Sequence, residues 1–168
     1  MSGLPAGWRF ASPMQANRHP ELKASCGSLV PVRLKDRFRF QCVMVGDCCQ
    51  HPDAGCKHIH LVGGIFWGLK DGMWRCPFLQ ADNSCGTYET RPVPCRMFPL
   101  GLTFEPENRL IVLYKQVPPQ RCLPCYAGRT NWSVGSWLEA NGMWSEIQTR
   151  CARFDSLREL AGTGSGHG

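Results

Sequence analysis

The sequence predicts an α+β fold: a small cysteine-rich metal-knuckle domain with short strands, many turns and a C-terminal amphipathic helix. Three observations predict it. Hydrophobic residues supply 43% of a 168-residue chain, enough for one compact core with little room for a second. Period-two apolar patterns recur over short stretches, while one three-and-four spacing runs near the C-terminus. Between them lies a turn-dense stretch holding most of the 11 cysteines, far more thiols than a helix or sheet requires.

Residues 1–28 are rich in Pro, Gly and Ser and show no period, so they read as an extended N-terminal arm pinned by Trp8 and Phe10, with Cys26 as a spare thiol. Residues 29–130 form the expected cysteine-cluster domain. It begins with Val30, Val32, Leu34, Phe38 and Phe40 on one side of a strand and Arg33, Lys35, Arg37 and Arg39 on the other. Asp36 interrupts the apolar side and marks a bulge or an edge. Residues 41–58 read as loop, with Gly46, Pro52 and Gly55 among the thiols. Ile59 to Leu69 is apolar with glycines inside, a pattern that fits a short helix or a strand equally.

Turns crowd residues 70–100, at Lys70-Asp71-Gly72, Ala81-Asp82-Asn83-Ser84 and Arg91-Pro92-Val93-Pro94. Leu100–Phe104 and Leu110–Tyr114 flank Glu105-Pro106-Glu107-Asn108, which predicts a hairpin. Residues 131–161 read as a helix packed on the domain. Ser136 and Glu139 offer a capping box, and Trp137, Ala140, Trp144, Ile147, Cys151 and Phe154 form one apolar stripe. Asn141-Gly142 is a place for that helix to kink or split. Cys151, on the stripe, reads as a core thiol, and residues 162–168 as a flexible tail.

No apolar run reaches the roughly 18–20 residues a spanning helix needs, so no membrane segment is expected. The opening Met1-Ser2-Gly3-Leu4-Pro5 lacks the basic stretch and apolar segment of a secretory signal, so the expected location is cytoplasmic, where thiols stay reduced. The net charge of +6 is uneven. Arg9, Arg18, Lys23, Arg33, Lys35, Arg37 and Arg39 face only Glu21 and Asp36 over the first 46 residues. A solvated strand face accounts for this excess better than nucleic-acid binding, and a protein partner stays open.

An odd number of cysteines cannot all be paired, and a vicinal disulfide between Cys48 and Cys49 would strain the peptide joining them. Metal ligation is therefore the preferred reading of the series, because thiolates in sets of four are the common structural zinc and iron–sulfur shells. Adjacent Cys48 and Cys49 point apart more naturally than toward one ion, which suits two four-ligand sites, or one iron–sulfur cluster and one zinc site.

The series also resembles one family on specific residues. Phe40-Gln41-Cys42 leads to Gly46-Asp47-Cys48-Cys49; Cys76, Phe78 and Leu79 follow; then come Cys85, Tyr88, Glu89, Arg91, Pro92, Cys95, Arg96, Phe98 and Pro99, closed by Cys122. This is similar to the YkgJ-type cysteine-cluster proteins, a zinc- or iron-chelating family with relatives tied to flagellin lysine methylation. The likeness covers residues from about 38 to about 128. It departs at Val45, where the family has another cysteine. Candidate replacements are Cys125, on a Cys122-x2-Cys125 turn, then Cys56, then His51, His58 and His60.

The expected metal ligands are thus Cys42, Cys48, Cys49, Cys76, Cys85, Cys95, Cys122 and Cys125, holding zinc or iron, the latter as an ion or an iron–sulfur cluster. Arg75, Arg91, Arg96 and Arg121 adjoin these cysteines and read equally as donors offsetting thiolate charge or as ordinary surface ion pairs. No Ser-His-Asp set, phosphate loop, dinucleotide loop or His-Glu-x2-His motif is present. The residues therefore favour a structural or accessory metal module. An iron–sulfur redox or methyl-transfer enzyme of the flagellin lysine methylase type rests on the resemblance alone, and metal delivery or buffering is a third reading.

Overall fold

The computed structural model describes residues 3–20, 22, 29–44, 46, 49–52, 61–62, 65–116 and 123–163. The fold is mixed α and β, with small sheets and helices at the C-terminal end.

The main sheet is organised around β10 (Leu110–Gln116), whose Ile111, Val112 and Leu113 are fully or almost fully buried. β9 (Leu100–Glu105) pairs antiparallel along one side, from Leu110 opposite Glu105 to Lys115 opposite Leu100. This is the expected hairpin. A 3₁₀ turn at Pro106–Asn108 and left-handed Arg109 close it. A side chain at Gly101 would run into the ring of Tyr114 directly opposite, so that position needs glycine. The far side of β10 is shared. β1 (Arg9–Phe10) lies parallel to Leu110–Ile111, and β2 (Leu29–Pro31) antiparallel to Tyr114–Gln116.

The N-terminal residues are woven into the fold. Trp8 is only 5% exposed. Its indole N–H donates to Asp155 at 3.0 Å and its ring meets Phe104 and Phe154. Beyond β1, Ser12 caps the short α1 (Pro13–Ala16) by a reciprocal bond with Gln15.

The expected single strand from Val30 to Phe40 is two strands in different sheets. The Asp36 carboxylate accepts from the Arg33 N–H at 2.8 Å and from its guanidinium at 2.9 Å, and the Asp36 N–H donates to the Arg33 carbonyl. That local capture folds a turn where the alternation alone predicts extension. Past it, β3 (Arg37–Arg39) keeps the alternation, with Phe38 buried between exposed Arg37 and Arg39, and pairs with β11 (Asn131–Ser133). Val30, expected inside, is 40% exposed.

The C-terminal region is two helices, α4 (Val134–Ala140) and α5 (Met143–Thr163), split at Asn141 and left-handed Gly142. The capping box is not Ser136 with Glu139. It is Ser133 with Ser136, each hydroxyl accepting from the other's backbone N–H, because Ser133 is the last extended residue before the helix. The split also corrects the stripe. Leu138 is buried on α4 while Ala140 is exposed, and on α5 Trp144, Ile147 and Cys151 are buried and Phe154 half-buried. Trp137 is half-buried and donates to the Met97 carbonyl at 3.0 Å.

The core so formed joins Trp8, Phe38, Phe40, Met97, Leu100, Ile111, Leu113, Leu138, Met143, Ile147 and Cys151. The cysteine-bearing segment lies beside it. Among the side chains the structure describes, which leave out those of Leu61, Val62 and Ile65, no hydrophobic one between Phe40 and Met97 is buried, and Val43, Met44, Phe66, Leu69 and Phe78 are exposed.

Candidate metal centre

Short strands and turns bring part of the cysteine series together. β4 (Gln50–Pro52) follows Cys49 at once and pairs antiparallel with β8 (Met73–Arg75), which ends one residue before Cys76. The region after Cys49, expected as loop, is therefore strand at this point. The pairing places Gln50 opposite Arg75 and aligns the two cysteines that flank it, so that the Cys76 N–H donates to the Cys49 carbonyl at 2.8 Å. On the other side of β8 lies β7 (Gly68–Lys70), joined to it by Asp71-Gly72 with positive φ at both, a type I′ hairpin turn. The Ile59–Leu69 stretch, open between helix and strand, shows strand where described: β5 (Leu61–Val62) pairs with β6 (Ile65–Phe66).

Cys85 joins through the next turn. The Leu79 N–H donates to the Cys76 carbonyl at 3.1 Å, Leu79 and Cys85 form a β-bridge, and the Gly86 N–H donates to the Phe78 carbonyl at 2.8 Å. The Cys85 sulfur has the Thr87 hydroxyl at 3.7 Å. Gly46 locks the loop before Cys49 onto this turn. Its φ is +74°, and a Cβ there would sit 3.0 Å from Asn83 Cβ and 3.1 Å from a Leu79 methyl. Cys49, Cys76 and Cys85 are all half-buried thiols.

A second neighbourhood contains Cys42 and Cys125. The Gln41 N–H donates to the Cys125 carbonyl at 2.7 Å, so Cys125, on the short α3 (Leu123–Tyr126), lies beside the residue that precedes Cys42. Cys125 is buried and Cys42 packs at the core's edge. Cys95 sits on α2 (Val93–Met97), half-buried. Among the described residues no three His, Cys, Asp or Glu side chains stand close enough together to hold an ion. Cys48 and Cys122, like Cys26, Val45, Cys56, His58, His60 and Arg121, lie outside the described residues, and His51 is described only as backbone in β4.

Cys151 stands apart. It is fully buried on α5, and burial together with the nearby Asp155 carboxylate pushes its thiol up to about 11. A thiol held protonated in this way is a core side chain rather than a ligand. The arginines expected beside sulfur have other contacts. Arg91 donates to the Tyr88 carbonyl at 2.7 Å and stacks on that ring at 3.6 Å. Arg96 donates to the Asn141 carbonyl at 3.3 Å. Arg75 lines a pocket with Cys76, Gln50, Gln80 and Asn83. The pocket's amide residues carry no motif, and only the Ala81–Ser84 turn hints at their position.

The chain matches no protein family, no curated protein and no solved structure in comparison with them. No described helix is long and apolar enough to cross a membrane.

Proposed function

We propose that this chain is a metal-binding cysteine-cluster module in which zinc or iron organises residues between Phe40 and Met97. One observation carries the reading: among the side chains the structure describes, which leave out those of Leu61, Val62 and Ile65, no hydrophobic one in that stretch is buried. A segment without a core needs another source of order, and thiolate–metal bonds are the one its sequence offers.

Cys49, Cys76 and Cys85 are the first donor group, already joined through backbone bonds and with Cys48 next in the chain. Cys42 and Cys125 seed the second, to which we assign Cys95 and Cys122, the latter three residues before Cys125 in the sequence. Backbone bonds hold these segments side by side, and metal binding would gather the sulfurs and release their protons. Four thiolates on a divalent ion form a closed site, which suits a structural or accessory role. The resemblance to YkgJ-type proteins supports seven of these donors, Cys42, Cys48, Cys49, Cys76, Cys85, Cys95 and Cys122, while Cys125 is proposed in place of the family cysteine absent at Val45.

Elemental analysis and an absorption spectrum of anaerobically purified full-length protein test the reading. Zinc without visible absorption is the expected result for a structural module. Brown colour with iron and sulfide would favour the iron–sulfur alternative. Protein that folds with substoichiometric metal under anaerobic, metal-replete conditions would overturn the proposal.

A further inference from the structure

The cavity beside Cys76 has a chemical character of its own. It holds about 230 Å3 and is lined by Gln50, Arg75, Cys76, Leu79, Gln80, Ala81 and Asn83. Its volume falls just below the roughly 300 Å3 at which drug-sized pockets begin, leaving room for a small ion rather than a nucleotide.

Two pieces of the chain form its walls. Gln50 and Arg75 are directly opposed across β4 and β8, on one face of the pair. The other wall is the turn from Leu79 to Ser84, fixed by the Asn83 N–H on the Gln80 carbonyl at 3.0 Å and the Gln80 N–H on the Ser84 carbonyl at 2.9 Å. The Ser84 hydroxyl lies 2.6 Å from both the Gln80 side-chain oxygen and Asp82 Oδ1, and its one proton is shared between them. The NH2 group is the donor that the Gln80 side chain brings to the lining. The nearest carboxylate in the turn, Asp82, accepts from both the N–H and the hydroxyl of Ser84 and is not part of the lining. Arg75 is the lining's only permanent charge and has no carboxylate partner among the described residues.

A guanidinium fork with amide donors around it and no acid among the described lining residues is suited to oxygen anions. We propose that this pocket binds a small oxyanion, a phosphate or a short carboxylate, with Arg75 as its anchor and Gln50, Gln80 and Asn83 as amide donors. Cys76 is part of the lining and the walls belong to the segment that metal is proposed to order, so the inference rests on that reading for the order of its walls.

The test is an NMR titration of the full chain, metal-loaded and metal-free, with inorganic phosphate and separately with acetate, against sodium chloride at equal ionic strength. Saturable shifts of the Arg75, Cys76, Leu79 and Asn83 amides are expected for at least one probe, and the tighter probe identifies the ligand class. Arg75→Gln should weaken that binding tenfold or more, and Arg75→Lys, which keeps the charge but loses the fork, severalfold. Shifts that track chloride, or saturable binding that both variants retain in full, would overturn the proposal. Metal binding without oxyanion binding refutes this inference alone, and the reverse refutes the metal reading alone.

Discussion

Replacing Gly46 by alanine is the sharpest probe of how the cysteine loops are held. Two costs follow from its surroundings. Its φ of +74° is left-handed, a conformation that costs an L-residue about 1–2 kcal/mol. The new methyl would also meet Asn83 Cβ at 3.0 Å, the Asn83 carbonyl oxygen at 3.3 Å and a Leu79 methyl at 3.1 Å. Two of those atoms are fixed to a turn whose own Asn83 is left-handed, so the crowding adds about 1–2 kcal/mol. A total of about 2–4 kcal/mol corresponds to a Tm lower by roughly 5–12 °C for a chain of this size. Gly72→Ala is the control, since its φ is +72° but no atom lies within 4 Å of its Cβ. It carries only the conformational share, roughly 2–6 °C. Because Gly46 packs the loop before Cys49 onto the turn that joins Cys76 to Cys85, metal affinity should fall with the packing share, about tenfold per 1.4 kcal/mol. Thermal melting by circular dichroism and metal competition with a chromophoric chelator give both numbers. If the two variants melt within about 2 °C of each other and bind metal alike, the reasoning about this contact fails.

Stripping metal with a strong chelator, or changing Cys85 and Cys95 to Ser, should speed amide hydrogen exchange between residues 41 and 96 while the β9–β10 ladder stays protected; uniform protection in both states would count against a metal-ordered segment. Cys151→Ala should leave the metal-to-protein ratio unchanged, and a folded variant with less metal would remove Cys151 from the core-thiol class. The same thiol sets a pH dependence: its value rises from 9.0 to about 11 on folding, so its stabilisation is complete below pH 9 and is lost as pH climbs from 9 to 11. Urea midpoints of wild type and Cys151→Ala should converge over that window, and parallel curves would contradict it. Asp155→Ala strands the Trp8 indole N–H and unpairs Arg109, whose Nε lies 3.1 Å from the carboxylate, a loss of about 1–3 kcal/mol. Urea unfolding followed by tryptophan emission reads it, and an unchanged midpoint would show that this tie contributes nothing.

Where a pattern was local, the sequence disclosed it. Apolar residues on both sides of Glu105-Pro106-Glu107-Asn108 specify the β9–β10 hairpin, and Asn141-Gly142 marks the helix break, because turn chemistry acts within a few residues. Errors arose where one side chain outcompeted a longer pattern. The alternation from Val30 to Phe40 is real, yet the Asp36 carboxylate on Arg33 turns the chain in the middle of it. The helix cap moved to Ser133 because its hydroxyl partner is Ser136, a pairing outside the Glu/Gln form of the motif. Trp8 was legible as an anchor, but its partner Asp155 lies 147 residues away, and no local pattern carries that distance.

The candidate site divides along the same line. Cys151 was legible as core because a helical period places it there. The grouping of Cys49, Cys76 and Cys85 was not, because it depends on β4 pairing with β8 across a long connection and on one glycine seated against Asn83 and Leu79. Spacing alone suggests eight ligands of equal standing. The backbone separates five of these candidates, with Cys49, Cys76 and Cys85 tied together by carbonyl and amide bonds and Cys42 and Cys125 at the edge of the hydrophobic core beside Gln41. Those two settings are chemically different. A site at the core's edge inherits rigidity from Phe40 and Tyr126, which meet ring to ring at 5.5 Å. A site on β4, β8 and the Leu79–Ser84 turn has no buried apolar neighbour of its own among the described residues. If the proposed sites hold metal, the group with Cys49, Cys76 and Cys85 is the one whose local order would depend most on it, and the one expected to lose its ion first when a chelator competes.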